Sequence, residues 1–227
     1  MKISGSGKLS EGKIDDNLVT SGSARIDGDF ECNGFRSSGS FRGSGNLTVH
    51  GDFRSSGSFR VHGSLKGDGN GRTSGSASVD GKISIDGFFR SSGSLRVGGK
   101  IEALEGIRFS GSASVQDGLF SQNSIDIEGS FTSNGKITGK DIFIGVNQKK
   151  KTSRQSYKVY GDIFGINTVD IAGTYVDGDV KARNVKLSKG TEVSGNVYYV
   201  NSIEIDKKTK LANEPIQINE EEMQNNH

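Results

Sequence analysis

Phe35-Arg36-Ser37-Ser38-Gly39-Ser40 returns as Phe53-Arg54-Ser55-Ser56-Gly57-Ser58 and again as Phe89-Arg90-Ser91-Ser92-Gly93-Ser94, with weaker copies beginning at Gly71 and Ile107. The copies are spaced in multiples of eighteen residues. Inside that period lies a shorter one. Glycine stands at 39, 45, 51, 57, 63, 69, 75, 81, 87, 93 and 99, a step of six without a miss. With 34 glycines in 227 residues, ten successive hits have a chance probability on the order of 10^-8, so the period is real. It continues with substitutions at Glu105, Gly111, Asp117, Asn123, Gly129, Gly135 and Asp141, and it is foreshadowed by Gly22, Gly28 and Gly34. Three sixes make one eighteen, the arithmetic of a three-sided coil with one short strand on each side.

Within a hexad counted from its glycine, positions three and five carry the apolar residues, as in Gly45-Asn46-Leu47-Thr48-Val49-His50 and Gly81-Lys82-Ile83-Ser84-Ile85-Asp86. Alternation over so short a stretch predicts a strand with one face inward. Glycine at position one is expected to supply a positive-φ corner, and Asp, Asn, Ser or Lys at position two an exposed turn. Stacking by eighteen aligns three inward columns: Leu47, Leu65, Ile83, Ile101, Leu119, Ile137; Phe53, Gly71, Phe89, Ile107, Ile125, Phe143; and Phe41, Phe59, Ala77, Leu95, Ala113, Phe131. Large and small residues alternate in the third, which suits a narrow core with interdigitating layers.

Composition agrees. Hydrophobic residues are only 31% of the chain, glycine is about twice its usual frequency, Pro is 1 and Trp is 0. A broad core is excluded, and so is a collagen or a Pro/Gly-rich disordered chain. The net charge of +2 carries no global polyanion-binding signature. A single cysteine, Cys32, rules out an internal disulfide framework, and its inward position predicts a packed thiol. No apolar run reaches membrane-spanning length, and Met1-Lys2-Ile3-Ser4-Gly5 lacks a signal-peptide core. The expected compartment is the cytoplasm, with the chain close to the membrane if its basic surfaces contact anionic lipid.

The expected fold is all-β: a three-sided parallel β-helix over 1–211, of about 11 coils of 17–18 residues and roughly 50 Å in length. A basic loop at 148–156 (Lys149, Lys150, Lys151, Arg154) breaks the register, after which Gly161, Gly178 and Gly195 resume it at a step of 17. Residues 212–227, with the only proline and Glu220-Glu221-Glu222, read as a flexible acidic tail.

The hexads, for example Gly57-Ser58-Phe59-Arg60-Val61-His62, together with Ser37-Ser38-Gly39-Ser40, resemble those of the bactofilins, bacterial polymer-forming cytoskeletal proteins. The resemblance covers about 18–211. It implies a right-handed β-helix that polymerises end to end without nucleotide. Such a protein acts as a scaffold for cell shape, envelope synthesis or motility machinery. Its partners would be further copies of itself, a paralogous bactofilin, or envelope and motility proteins. The chain departs from many members in having nearly twice their coils, in the basic interruption, and in a repeat pattern that begins almost at once where they carry a short apolar targeting tail, so membrane attachment by that route is not expected.

Two surfaces are candidates for function. A β-helix has two ends with unpaired strand edges, and neither is expected to carry a helical cap. Stacking on another molecule satisfies such edges. Ile3 and Leu9 at one end and Ile203 and Ile205 at the other are the expected polymerisation contacts. Along one side, Arg36, Arg54, Arg72, Arg90 and Arg108 recur every eighteen residues at an outward position. This ladder and the basic loop are candidate partner surfaces for an anionic membrane or acidic protein. Without interleaved aromatics they do not suggest nucleic acid.

Enzyme readings are weaker. His50, His62 and His227 are the only histidines. They form no metal cluster with Cys32 and no evident triad, and no Gly-Lys-Ser/Thr opens a helix for phosphate. No catalytic, metal or cofactor site is expected. The alternative is a trimeric, left-handed β-helix of the hexapeptide acyltransferase kind. There an aliphatic residue directly precedes the glycine; here Asp, Ser or His usually does. Pectin-active β-helices use longer, less regular coils, and ice-binding rods need a threonine stripe where this chain has arginine.

Overall fold

The computed structural model describes residues 1–146 and 156–224. Among them are twenty-eight β-strands and one short helix, α1 (Glu220–Gln224), giving 63% strand and 2% helix. Pairing is parallel from the first coil, where Lys2 meets Val19, to the last, where Tyr198 meets Ile216. Each strand pairs with the one a full lap away: Ser40–Gly43 with Ser58–Val61, Leu47–Val49 with Leu65–Gly67, Phe53–Ser55 with Gly71–Thr73. The result is a β-solenoid of about 12 turns with three faces. The first face contains Ser40–Gly43, the second Leu47–Val49 and the third Phe53–Ser55.

The middle coils advance by eighteen residues per lap and the outer ones by seventeen. Phe41 lies over Phe59 and Leu47 over Leu65, whereas Ser6 meets Ser23, and Ile163, Val180 and Val197 follow one another. Phe131 pairs directly with Tyr157 and Ile137 with Ile163. The columns therefore continue across the insertion as though it were absent. Lys149, Lys150, Lys151 and Arg154 lie outside the described residues.

Two inward columns run as the sequence predicts, and the one that begins at Phe53 needs one correction. Ile125 pairs with Ile142, not Phe143. This lap is one residue short, so Ile142 and Ile144 turn inward and are buried while Phe143 is only half-buried. The period of eighteen alone could not reveal the missing residue, but the Ile-x-Ile spacing carries it. Inside the rod the rings interlock. Phe35 stacks on Phe53 at 5.2 Å and Phe41 on Phe59 at 5.3 Å, while Phe53 meets Phe59 edge-on at 4.9 Å. Such pairs add to the burial of apolar area that drives the fold.

The corner glycines work differently from expectation. Positive φ occurs at Gly12, Gly28, Gly106, Gly118, Gly145, Gly173 and Gly190, not at the regular corners Gly39, Gly57, Gly75, Gly93 and Gly111. What those corners require is close approach. A Cβ on any of these five would lie 1.9 or 2.0 Å from the carbonyl oxygen of the glycine one coil below. The neighbouring position-two residues staple the coils. The Asn46 amide donates to Asp29 Oδ1 (2.7 Å), and Ser64 in turn to Asn46 Oδ1 (2.8 Å). The Asp179 backbone N–H donates to Asp162 Oδ1 (2.9 Å) and the Asn196 backbone N–H to Asp179 Oδ1 (2.7 Å).

One inward column is polar: Thr20, Ser37, Ser55, Thr73 and Ser91 are all buried. Thr20 donates to Ser37 and Thr73 to Ser91, each at 2.9 Å. The Ser55 hydroxyl between them has no partner.

Residues 212–224 of the segment expected as a flexible tail are built onto the rod. Ile216–Gln217 pairs with Tyr198–Tyr199, and α1 then folds back against the outer surface of Val180–Ser188. Asn219 and Glu222 form a reciprocal capping box, both bonds 2.9 Å. Arg183 holds both carboxylate oxygens of Glu220, at 2.8 and 3.0 Å. Lys181 Nζ donates to the Glu222 carbonyl at 2.6 Å, and Met223 is buried. The sequence shows no helical period here because the helix is a single turn, held by these contacts rather than by an amphipathic stripe.

Candidate functional site

The two coil ends are open strand edges. At the first, Ser6–Ile14 pairs only with the coil above it; at the last, Ser202–Ile205 pairs only with the coil below it. Among the described residues no helix or loop lies across either edge, and α1 rests on the side of the rod. Ile3 and Leu9 are half-buried and pack against the core, and so does Ile14, which the sequence reading missed. At the other end Ile203 packs against the core with Tyr199 and Leu211. Ile205 is 43% exposed although it lies in register with fully buried Leu187. It is an inward position with no coil above it to cover it. The two groups sit at opposite ends of the molecule, so only a second copy can bring them together.

The arginine ladder is as regular as its spacing. Arg36 pairs in register with Arg54, Arg54 with Arg72, Arg72 with Arg90, and Arg90 with Arg108. Neighbouring guanidinium groups at ~5 Å in water repel by under ~1 kcal/mol, and salt reduces this. Beside the ladder, Asp52 holds Arg54 at 2.9 Å. Asp68 pairs instead with His50 and Lys66. Glu128 holds Arg108 at 2.7 Å, with Asp126 at 3.7 Å; burial raises the Asp126 carboxyl and Arg108 opposes the shift. Arg90 lies over the Phe88 ring, 4.8 Å from its centre. A second arginine column, not singled out in the sequence reading, runs on the first face. Arg25 pairs with Arg42 and Arg42 with Arg60, with Arg96 two coils further on. Its signal was present in Phe41-Arg42, Phe59-Arg60 and Leu95-Arg96.

Both described histidines do have partners. His50 bridges Asp68 (3.0 Å) and Glu31 (3.3 Å), and His62 bonds Asp80 at 2.7 Å. These are exposed pairs between adjacent coils. Hydrogen bonding to Asp68 first, then to Glu31, raises the His50 pKa. Cys32 is fully buried, and burial pushes its thiol up to about 11, far from a reactive thiolate. Among the described residues no group of three or more His, Cys, Asp or Glu is placed to hold a metal ion, and no helix is long and apolar enough to cross a membrane.

Beside α1 lies a cleft of about 500 Å³ lined by Lys136, Phe164, Lys181, Tyr198, Ile218 and Glu222, among others. Burial lowers the Lys181 ammonium, opposed by Glu222. Among the described residues its ammonium bonds the helix backbone alone, which makes it an anchor for the strap. Comparison with models of protein families, with curated proteins and with solved structures finds no match for this chain.

Proposed function

We propose that this β-solenoid assembles end to end into filaments and serves as a structural scaffold. The observation that carries the reading is the pair of open edges. Among the described residues, Ser6–Ile14 and Ser202–Ile205 each pair through one hydrogen-bonding side only. Ile3, Leu9, Ile14, Ile203, Ile205 and Leu211 provide apolar surface next to them. Pairing the last coil of one copy with the first coil of the next continues the ladder and the core together. Such a contact is head-to-tail, and a head-to-tail contact that does not close into a ring propagates as a filament. No nucleotide is needed, because nothing in the contact is hydrolysed. The resemblance to bactofilins supports a cytoplasmic cytoskeletal role, with paralogous subunits and envelope or motility proteins as partners.

The test is electron microscopy of the purified chain in nucleotide-free buffer, with size-exclusion chromatography. Filaments are expected from the wild type. Ile205→Asp and Ile203→Asp are expected to give folded single rods, because a buried unpaired carboxylate cannot be accommodated at the joint. A wild type that runs as a discrete trimer overturns the proposal in favour of the transferase-like reading. Filaments that persist in both variants place the contact elsewhere.

A further inference from the structure

Segments 36–42, 54–60, 72–78, 90–96 and 108–114 stack on one another around the corner between the third and first faces. Together they hold eight arginines and no Asp or Glu. Two clefts follow this corner along the rod axis. One, of about 450 Å³, is lined by Arg36, Arg54 and Arg72 with Ser38, Ser56 and Ser74; the other, of about 140 Å³, continues it past Arg90 and Arg108 with Ser92 and Ser110. Arg72 belongs to both. The clefts are the two halves of a trench. Its floor is formed by the stretch from Ser37 to Ser91 whose side chains are turned into the core. Guanidinium groups form one wall and hydroxyls the other, repeating at ~4.8 Å per coil.

Among the described residues, Arg36 and Arg72 meet no carboxylate, and Arg90 has only the Phe88 ring. Arginine presents a planar fork whose N–H groups donate in pairs to sulfate or carboxylate oxygens. The serine hydroxyls can both donate and accept, as the hydroxyls of a sugar do. A cleft is concave, so a single chain can lie in it where a flat lipid surface cannot follow it to its floor. The trench also lacks a row of free aromatic rings on which bases could stack. It runs straight along the axis, and two coils span ~10 Å, comparable to an extended disaccharide.

From this geometry we infer that the trench binds a linear anionic glycan, sulfated or carboxylated, laid along the coil axis. Arg36, Arg72 and Arg90 hold the anionic groups and the facing serines hold the sugar hydroxyls. The inference does not depend on filament assembly, since one copy contains the whole trench.

The experiment is a binding titration of the full chain with fluorescent oligomers of dextran sulfate and of polygalacturonate at low salt. An oligo-dT strand and vesicles of mixed anionic and zwitterionic phospholipid serve as competing probes. The wild type is expected to bind at least one glycan oligomer and to lose affinity as salt rises. Preference between the two assigns the anionic group. The double variant R72Q/R90Q, at exposed positions that leave the core untouched, is expected to weaken binding at least tenfold. K207Q/K208Q removes the same charge near the last coil and is expected to bind as wild type. Equal binding by wild type and R72Q/R90Q overturns the inference. So does tighter binding of oligo-dT than of either glycan, and so does binding to vesicles without binding to a soluble oligomer.

Discussion

The Ser58 amide donates to the carbonyl of Gly39 at 3.1 Å, and a methyl group on Gly57 would lie 1.9 Å from that same oxygen. The bond that joins the coils thus excludes any side chain at the corner. Gly57→Ala must push the coils apart or twist the corner, at a cost of about 1–3 kcal/mol, comparable to overpacking a core. Gly43→Ala is the control. Its added carbon would meet Phe41 and Val61 side chains at 3.6 Å, and stiffening the unfolded chain is expected to leave stability unchanged or raised by about 0.5 kcal/mol. Denaturant unfolding of both variants checks this. An undiminished midpoint for Gly57→Ala refutes the steric account.

The Ser55 hydroxyl is buried without a partner between the bonded pairs Thr20–Ser37 and Thr73–Ser91. Ser55→Ala removes a buried polar group that gains nothing in return, so it is expected to stabilise the rod by about 1 kcal/mol. Phe53→Ala, two residues away, leaves a void in the ring stack and is expected to cost about 3–5 kcal/mol. The opposite signs at adjacent inward positions are read directly from thermal unfolding.

His50 ties three coils together through Glu31 and Asp68, and its folded-state pKa is raised above the ordinary 6.5. A raised value means that the charged form is favoured in the fold. The contribution is therefore complete below about pH 6.5 and is lost as pH rises through the folded value. The difference in melting temperature between wild type and His50→Gln is expected to be larger at pH 5.5 than at pH 8.5. NMR titration of the His50 ring against the unfolded chain gives the shift independently.

The strap formed by α1 should respond to acid. Arg183 holds the Glu220 carboxyl below its ordinary value of 4.5. That contribution is present above the ordinary value and is lost as pH falls through the folded one. The Met223 methyl resonance is expected to report docking at pH 7 and partial release at pH 3. Arg183→Gln is expected to loosen the strap at neutral pH. Met223→Ala, which costs about 2 kcal/mol or more, is expected to free it. Limited proteolysis after residue 218 provides a second measure.

What could be read from the sequence follows from what repetition can encode. The coil, its three faces, the inward columns and the ladder from Arg36 to Arg108 are all periodic, so spacing alone placed them. Features that depend on a break in the period were harder to see. Ile142 takes the place of Phe143 because one lap is a residue short. Ile14 was overlooked because the first coil is irregular, with register shifts on either side of it. The buried run from Thr20 to Ser91 was hidden because hydroxyl residues read as surface, and only the position-five spacing marks them as inward. Asn219 and Glu222 spell a capping box, but within one turn of helix that signal is lost against an acidic run.

The lap-by-lap stacking also makes the molecule a ruler. Deleting residues 58–75 joins Gly57 to Ser76, the same Gly-Ser junction that Gly75 makes now, and leaves like residues facing like across the seam. Because each lap meets only its two neighbours, stability in such an array is close to a sum over laps and their interfaces. Duplication or loss of whole laps can therefore change the reach of the rod in steps of ~4.8 Å without redesigning its interior.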